Sequence, residues 1–307
     1  MVKSFKKTNN PKALVYTIHY KGLDETLKFI ESAKKLEYDN FDILLISNSR
    51  IESEGEVLSK IKGIKFIDNK RNTGCCYPNN QALEIAIEMK CKYLGIFNND
   101  IEFDKNFLKE IIKIMEANNK VAAAGGKVYD KARRNYLQTV ARSIVWKIGA
   151  LKCDVGEAED KGQFENIKEV SYIWGGDIVY RVDLLKEVKG YDEKFFVYYE
   201  PLEVELKLQN KGYKIMYVPT AKVWHKGQTS LPNSKVYYYY SARNRVLFMK
   251  NCANRTDKLF FYPYFYFIAV PVGIFKRIIL RRDLKGAIGI IQGSFDALIG
   301  RFGEKQF

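Results

Sequence analysis

The sequence predicts an α/β fold built on a mostly parallel sheet with helices on both faces. Three observations predict it. Apolar runs of strand length alternate with amphipathic helical stretches through the first hundred residues. The runs are continuous rather than alternating, as in strands buried on both faces. One of them, Tyr93-Leu-Gly-Ile-Phe-Asn-Asn-Asp100, ends abruptly in three polar side chains. Ligands of open α/β sheets bind beyond the carboxyl ends of such strands. A carboxylate placed there can hold a hard divalent cation, and the cation can neutralise a diphosphate. Asn and Asp also dominate turns, so a plain turn is the competing reading of the same three residues.

Taken in order, residues 13–19 read as a first strand and 24–36 as an amphipathic helix with Asp24 as candidate cap. Residues 41–47 form a second strand, 57–61 a short helix, 64–67 a third strand, 79–89 a third helix and 91–97 a fourth strand. Right-handed crossovers place every strand's carboxyl end on one edge. That edge collects Lys21, Ser47, Asn48, Arg71, Asn72 and Asp100. The stretch 125–169 is less regular, with Gly-rich and acidic loop material around 156–162. Order returns at 170–177, then come a helix near 181–188, the aromatic run 195–199 and a helix from 201 to 211. Pro201 suits the first position of that helix, where a missing N–H costs nothing. Residues 214–218 give another strand, followed by Val223-Trp-His-Lys226.

From Tyr237 a helix would carry Arg243, Arg245 and Phe248. Residues 259–275 contain no charge, are rich in aromatics, and are interrupted by Pro263 and Pro271. A spanning helix needs about 20 apolar residues, so this run is short, and its prolines are expected to break it. Lys276, Arg277, Arg281 and Arg282 follow directly. Amphipathic, aromatic and flanked by cations is the profile of a segment lying in a membrane interface, here 259–282. An aromatic core helix or a dimer surface is the alternative. Residues 287–299 give one more helix with Ile288, Ile291, Phe295 and Leu298 on one stripe.

With 307 residues the chain can bury a substantial core. Its five cysteines (Cys75, Cys76, Cys91, Cys153, Cys252) are odd in number and form no Cys-x-x-Cys pair, which predicts reduced thiols in a cytoplasmic protein. Residues 1–12 are polar and basic, unlike a secretory signal. The net charge of +15 calls for an opposite-sign partner such as nucleic acid, anionic lipid or a phosphorylated substrate. No nucleic-acid-binding motif appears, and the positive residues are dispersed except near the C-terminus, so no nucleic-acid partner is expected.

The order of the motifs brings in a resemblance. Asn72-Thr-Gly74 with Asn80, Asn98-Asn-Asp100, Trp174-Gly-Gly176, Gly190-Tyr-Asp-Glu-Lys-Phe-Phe196, Tyr198-Tyr-Glu200, Gly212-Tyr-Lys-Ile215, Val218-Pro and Val223-Trp-His225 follow one another over about residues 12–250. In this the chain resembles the inverting family-2 glycosyltransferases, particularly rhamnosyltransferase-like members. The resemblance implies a GT-A-type nucleotide-diphospho-sugar transferase fold. It divides the chain into a catalytic domain over 1–235, with a nucleotide-binding half 1–124 and an acceptor half 125–235, and a C-terminal helical region over 236–307. It implies a nucleotide-diphosphate sugar donor, Mg²⁺ or Mn²⁺, and a glycan or lipid-linked acceptor in polysaccharide or cell-envelope synthesis at the inner membrane face.

Carried over residue by residue, the resemblance makes Asp100 and His225 the metal ligands, with Asn98 and Asn99 in the remaining places of an Asp-x-Asp-like motif. A packed imidazole beside Trp224 is the other reading of His225. Donor contacts fall to His19, Tyr20, Lys21, Ser47, Asn48, Arg71, Asn72, Gly74, Asn80, Asn98 and Asn99, and acceptor contacts to Trp174, Gly175, Gly176 and Asp177. His19, at a strand end, also reads as packing, and Lys21 and Arg71 equally as solvated charges. Inversion requires a base opposite the leaving group. The family's Glu-Asp pair reads Glu200-Pro201 here, so the usual aspartate is absent. Glu200, at a helix N-terminus, and Glu203, one turn on, are the remaining candidates. A helix-capping carboxylate is the bland reading of Glu200. The family's Asp-Asn-x-Ser segment is Ser47-Asn48-Ser49-Arg50, and Lys21 replaces the Asn that usually follows Tyr20, so the base-reading side differs. A non-catalytic sugar-nucleotide- or glycan-binding subunit is the alternative function, and a homodimer through the aromatics after Tyr237 is expected.

Overall fold

The computed structural model describes residues 10–139, 142–153, 158–173, 176–227 and 234–307. The first half runs β1 (Ala13–His19), α1 (Leu23–Ala33), β2 (Phe41–Ser47), α2 (Glu52–Ser59), β3 (Lys65–Asp68), α3 (Cys76–Glu88) and β4 (Tyr93–Phe97). β3, β2, β1 and β4 lie side by side and parallel. Side chains alternate between two cores. Leu14, Tyr16, Leu44, Ile46, Leu94 and Ile96 face one, and Ala13, Val15, Ile43, Leu45, Tyr93 and Phe97 the other. Both faces are covered, which is why these strands read as unbroken apolar runs.

The next elements are β5 (Ile101–Phe103), α4 (Phe107–Ala117) and β6 (Val121–Asp130). They lie where the sequence reading assigned nothing or saw irregular chain. α4 buries Phe107, Leu108, Ile111, Ile112 and Met115 at helical spacing against the second core. Short strands follow: β7 (Tyr136–Thr139), the hairpin β8 (Arg142–Val145) and β9 (Ala150–Cys153), β10 (Ala158–Glu159) and β11 (Lys168–Glu169). β12 (Asp177–Arg181) then inserts antiparallel between β4 and β6, giving the sheet order β3-β2-β1-β4-β12-β6-β7-β10. Being antiparallel, β12 starts at the edge where β4 ends, with Asp177 opposite Phe97.

After α5 (Val182–Glu187) and α6 (Glu200–Asn210), β13 (Lys214–His225) joins the expected strand and the Trp-His segment into one. It pairs with β6 and, at its far end, with β5, His225 opposite Ile101. α1 starts at Leu23 after a left-handed Gly22; Asp24 sits in its first turn without a capping hydrogen bond.

α7 (Ser234–Cys252) packs into the first core, where it buries Val246, Leu247, Phe248 and Met249. α8 (Arg255–Tyr264) and α9 (Val270–Phe275) are joined through Phe265–Ala269 and followed by Lys276–Leu280, both wound as wide π turns. The expected break at the prolines does not occur. Pro271 occupies the first turn of α9, and the π turns relax the backbone around Pro263 and Pro271. Arg255–Leu280 is therefore one helical run, long and apolar enough to cross a membrane by length and composition, and almost none of it is buried. α10 (Leu284–Leu298) packs back on α7 through Gly289 and Gly293, where any Cβ would collide with the α7 backbone.

Candidate functional site

The carboxyl ends of β1 to β4, the start of β12 and the end of β13 converge at one edge of the sheet. His225 comes to rest beside Asp100, Nε2 to Oδ1 at 3.2 Å, because β13 pairs with β5 immediately after Asp100. Lys226 N donates to the Asp100 carbonyl at 3.3 Å, which fixes the approach. On the far side of the imidazole, Nδ1 lies 2.7 Å from Gln138 Oε1, while Gln138 Nε2 donates to the His225 carbonyl. Gln138 thus holds the ring from both contacts and leaves Nε2 turned to Asp100.

Among the described residues no group of three or more His, Cys, Asp or Glu side chains could hold a metal by itself. A pair fits a different kind of site. Mg²⁺-type cations keep several waters and take one or two protein ligands plus substrate phosphates. Neighbouring ligands of an octahedral cation at 2.0–2.1 Å sit about 3 Å apart, close to the Asp100–His225 separation. The same 3.2 Å is also the length of a direct imidazole–carboxylate contact. Asn99 is not presented to a cation in the same way: its amide donates to the Lys21 carbonyl and to Thr26 Oγ1, tying the end of β4 to the end of β1. Asn98 is exposed, and its N–H donates to the Gly176 carbonyl at 3.0 Å.

A cleft of about 420 Å³ lies at the β1–β3 side of this edge, lined by Tyr20, Lys21, Asn72, Phe196, Tyr240, Phe307 and the 49–51 turn. Arg71 lines an adjoining hollow with Thr73 and Glu193. Other expected donor residues brace the site from behind. Asn48 donates to the Gly74 carbonyl at 2.7 Å and accepts from Asn69 and Thr73. Ser47 is buried and accepts from Ser49 N. Asn80 clasps Tyr191 through both its N–H and its carbonyl. Gly74, at φ +76°, packs directly on the Phe196 carbonyl, leaving no room for a Cβ. His19 is fully buried, with Nδ1 on Thr26 and Nε2 on Glu54. It latches α1 to α2 and offers no nitrogen to a ligand.

On the acceptor side, Trp174 and Gly175 lie outside the described residues. Asp177 is fully buried below the edge; burial pushes its carboxyl well above the usual range, against one hydrogen bond from Gly126 N. Glu205 is raised likewise, and one of its oxygens accepts from Ile173 N at 2.8 Å.

The two base candidates are in different settings. Glu203 is engaged at both oxygens, by Lys207 at 2.9 Å and Asn251 at 2.8 Å. Glu200 is 6% exposed and its Oε2 has no partner among the described residues. Burial raises its pKa to about 7, a backbone N–H opposing weakly. Its carboxyl lies near Cys75, Cys76, Tyr191 and Tyr198, behind the loop that lines the cleft rather than in the cleft wall. Burial, with the Glu200 charge second, pushes the Cys75 and Cys76 thiols up, so neither is a thiolate nucleophile.

The sequence reading missed what holds the loop before Glu200. Phe196, Tyr198 and Tyr199 all have left-handed backbone, φ 65°, 68° and 74°. Such residues are strained and persist only when their surroundings fix them. Asn244 of α7 does so, its amide donating to the carbonyls of Phe195, Val197 and Tyr198 at 2.6–2.9 Å. Buried Arg243 adds bonds to the Lys194, Phe195 and Gly303 carbonyls. Also missed were residues 304–307, which form the outer wall of the cleft, Phe307 standing edge-on to Tyr239. A buried Arg-Asn pair on an aromatic helix was the signal available.

The family model described as glycosyl transferase family 2 matches residues 15–189. A glucosyl-dolichyl phosphate glucuronosyltransferase of Haloferax volcanii is 22% identical over 218 residues, 67% of this chain and 65% of that protein. The chain thus spans just under two thirds of that relative. Among solved structures, GalNAc-T7 with UDP, GalNAc and Mn²⁺ superposes with TM-score 0.56 at 16% identity, over 86% of this chain and 57% of the other. A mannosyltransferase of Pyrobaculum calidifontis in complex with GDP-Man and Mn²⁺ gives TM-score 0.56 at 11% identity, over 95% and 88%. At these identities the structures establish the fold, which is of the GT-A type.

Proposed function

Because the chain belongs to glycosyl transferase family 2, we propose that it is an inverting, cation-assisted glycosyltransferase moving a sugar from a nucleotide-diphosphate donor to a glycan or lipid-linked acceptor. The observation that carries this is the Asp100–His225 pair at 3.2 Å on the ligand-binding edge of the sheet. In this reading Tyr20, Lys21 and Asn72 face the nucleotide from the cleft, while Asp100 and His225 meet the diphosphate end. A Mg²⁺ or Mn²⁺ bound there supplies the positive charge that a departing diphosphate needs. In this reading Glu200 takes the proton of the acceptor hydroxyl, which requires the 196–199 loop to admit the acceptor to its buried carboxyl. The hydroxyl oxygen bonds to the anomeric carbon from the opposite face as the carbon–phosphate-oxygen bond breaks. The nucleoside diphosphate leaves with the electron pair, and the configuration inverts.

The test is calorimetric titration of UDP, GDP, dTDP and CDP, with and without Mn²⁺, on wild type and Asp100→Ala. Cation-dependent binding of one nucleotide, lost in the variant, supports the reading and identifies the base. No binding of any nucleotide would overturn it. Pro201 in place of the family's aspartate favours a second reading, a donor-binding subunit without turnover. That reading predicts the same calorimetry and no transfer to any of a panel of lipid-linked and glycan acceptors.

The relative's name supports a lipid-linked acceptor. So does the exposed apolar run of α8 and α9, which fits a bilayer interface at the cytoplasmic face.

A further inference from the structure

We propose that Asp296 of α10, which does not itself line the nucleotide cleft, is a positioning residue for the donor: through Lys305 it holds residues 304–307 in place as the cleft's outer wall, and so sets nucleotide affinity. The assignment rests on the transferase reading and carries the donor site beyond residues 15–189, the stretch that the family model matches. The wall is tied down at four points. Gly303 N donates to the Lys194 carbonyl at 2.9 Å, and Arg243 donates to the Gly303 carbonyl at 2.6 Å. Lys305 N donates to Tyr240 Oη at 2.9 Å, and Lys305 Nζ to Asp296 Oδ2 at 2.9 Å. Of these four ties, the Asp296 bond is the one that reaches the wall from α10. Phe307, two residues on, stands with its ring centroid 5.1 Å from that of Tyr239 and 6.1 Å from that of Tyr240.

Asp296 is well set to act as an anchor. It is buried, and its Oδ2 accepts from Tyr239 Oη at 2.7 Å as well as from Lys305. Burial disfavours its charge, but the Tyr239 and Lys305 hydrogen bonds outweigh that and hold the carboxyl below the usual range, so it is ionised at neutral pH. Lys305, by contrast, has a side chain 32% exposed. If its partner is lost, the ammonium can turn to water instead of being stranded in the core. The change should therefore reach the wall and leave the fold standing. The wall faces the ligand, since Glu304, Lys305 and Phe307 line the cleft with Tyr20, Lys21 and Arg50. Three cations against one carboxylate suit an anionic nucleotide, and the exposed rings of Tyr20 and Phe307 offer apolar surface to its nucleoside.

The test is calorimetric titration of two probes in Mg²⁺: the nucleotide that the wild type prefers among UDP, GDP, dTDP and CDP, and inorganic pyrophosphate. The proteins are wild type, Asp296→Asn, Lys305→Met and Phe307→Ala. Each substitution should weaken the nucleotide by about 10-fold and leave pyrophosphate within about twofold, because the wall meets the nucleoside while Asp100 and His225 meet the diphosphate. A merely structural role would weaken both probes together. Lys305→Met cuts the same tie from its exposed side, so the anchor is tested even if Asp296→Asn fails to fold. Nucleotide affinity unmoved by Phe307→Ala would overturn the wall. Affinity unmoved by Asp296→Asn or Lys305→Met would overturn the anchor, and equal loss of pyrophosphate would overturn both. A wild type that binds no nucleotide would overturn the transferase reading, and this proposal with it.

Discussion

A buried carboxylate with an unpartnered oxygen gives up its proton reluctantly, and Glu200 carries its proton up to about pH 7 for that reason. Two consequences of opposite kind follow. If Glu200 is the base, kcat/KM should rise about tenfold per pH unit below about 7 and level off above it, since only the ionised form accepts a proton. Glu200→Gln should then lower transfer by about 10²- to 10⁴-fold with nucleotide affinity intact. Stability should move the other way. The folded pKa lies above the ordinary 4.5, so folding favours the protonated form and stability falls as pH climbs from about 4.5 to about 7. The shift amounts to at most about 3 kcal/mol at pH 8. Thermal melts should show Glu200→Gln more stable than wild type at pH 8 and level with it at pH 4. A variant with gained stability but full activity would make Glu200 a structural residue, and Glu203, already held by Lys207 and Asn251, is poorly placed to replace it.

At the scale of elements, α7 decides whether the loop before Glu200 exists in its strained form. Asn244→Ala removes an amide whose two N–H donors serve three carbonyls, and leaves those carbonyls to find other partners. It should cost about 3 kcal/mol and shift the melting midpoint down by several degrees. Gly74→Ala should be at least as damaging, because the loop it sits in is pressed on Phe196 from the other side. Arg243 and Asn244 on an aromatic helix are the sequence's one sign of this, since the contact joins residues some fifty positions apart through backbone carbonyls that every residue has. β1 and β2 were legible to the residue because burial on both faces leaves an unbroken apolar signature. α4 is readable from its own spacing; the β12 insertion, which turns a parallel sheet into a mixed one, is not readable at all. His225 could be tied to Asp100 only by resemblance, because the pairing of β13 with β5 that joins them has no local signal. The helix expected to break at Pro263 and Pro271 is continuous because π turns absorb the prolines, and a pattern built on 3.6 residues per turn does not anticipate them.

For the molecule as a whole, the question is what covers the outer face of α8, α9 and α10. Phe267 is 81% exposed, Leu259 72% and Phe275 58%, and the stripe Ile288, Ile291, Phe295 and Leu298 on α10 also points outward. Soluble surfaces rarely leave so much contiguous apolar area bare. A spanning arrangement would strip Phe261 and Phe265 from their buried places, so a bilayer fits better lying along this face than wrapped around it. Lys276, Arg277, Arg281 and Arg282 sit at one end of the run, where each would add about 1 kcal/mol against anionic headgroups. Two double variants separate the contributions in vesicle flotation. Phe267→Glu with Phe275→Glu should cut binding by at least about tenfold on neutral and anionic vesicles alike, since it removes inserted apolar area. Arg281→Glu with Arg282→Glu should cut it on anionic vesicles only, and the loss should fade as salt rises. If the wild type is instead a dimer by light scattering, and the phenylalanine pair makes it a monomer without changing flotation, then the face belongs to a second copy of the chain.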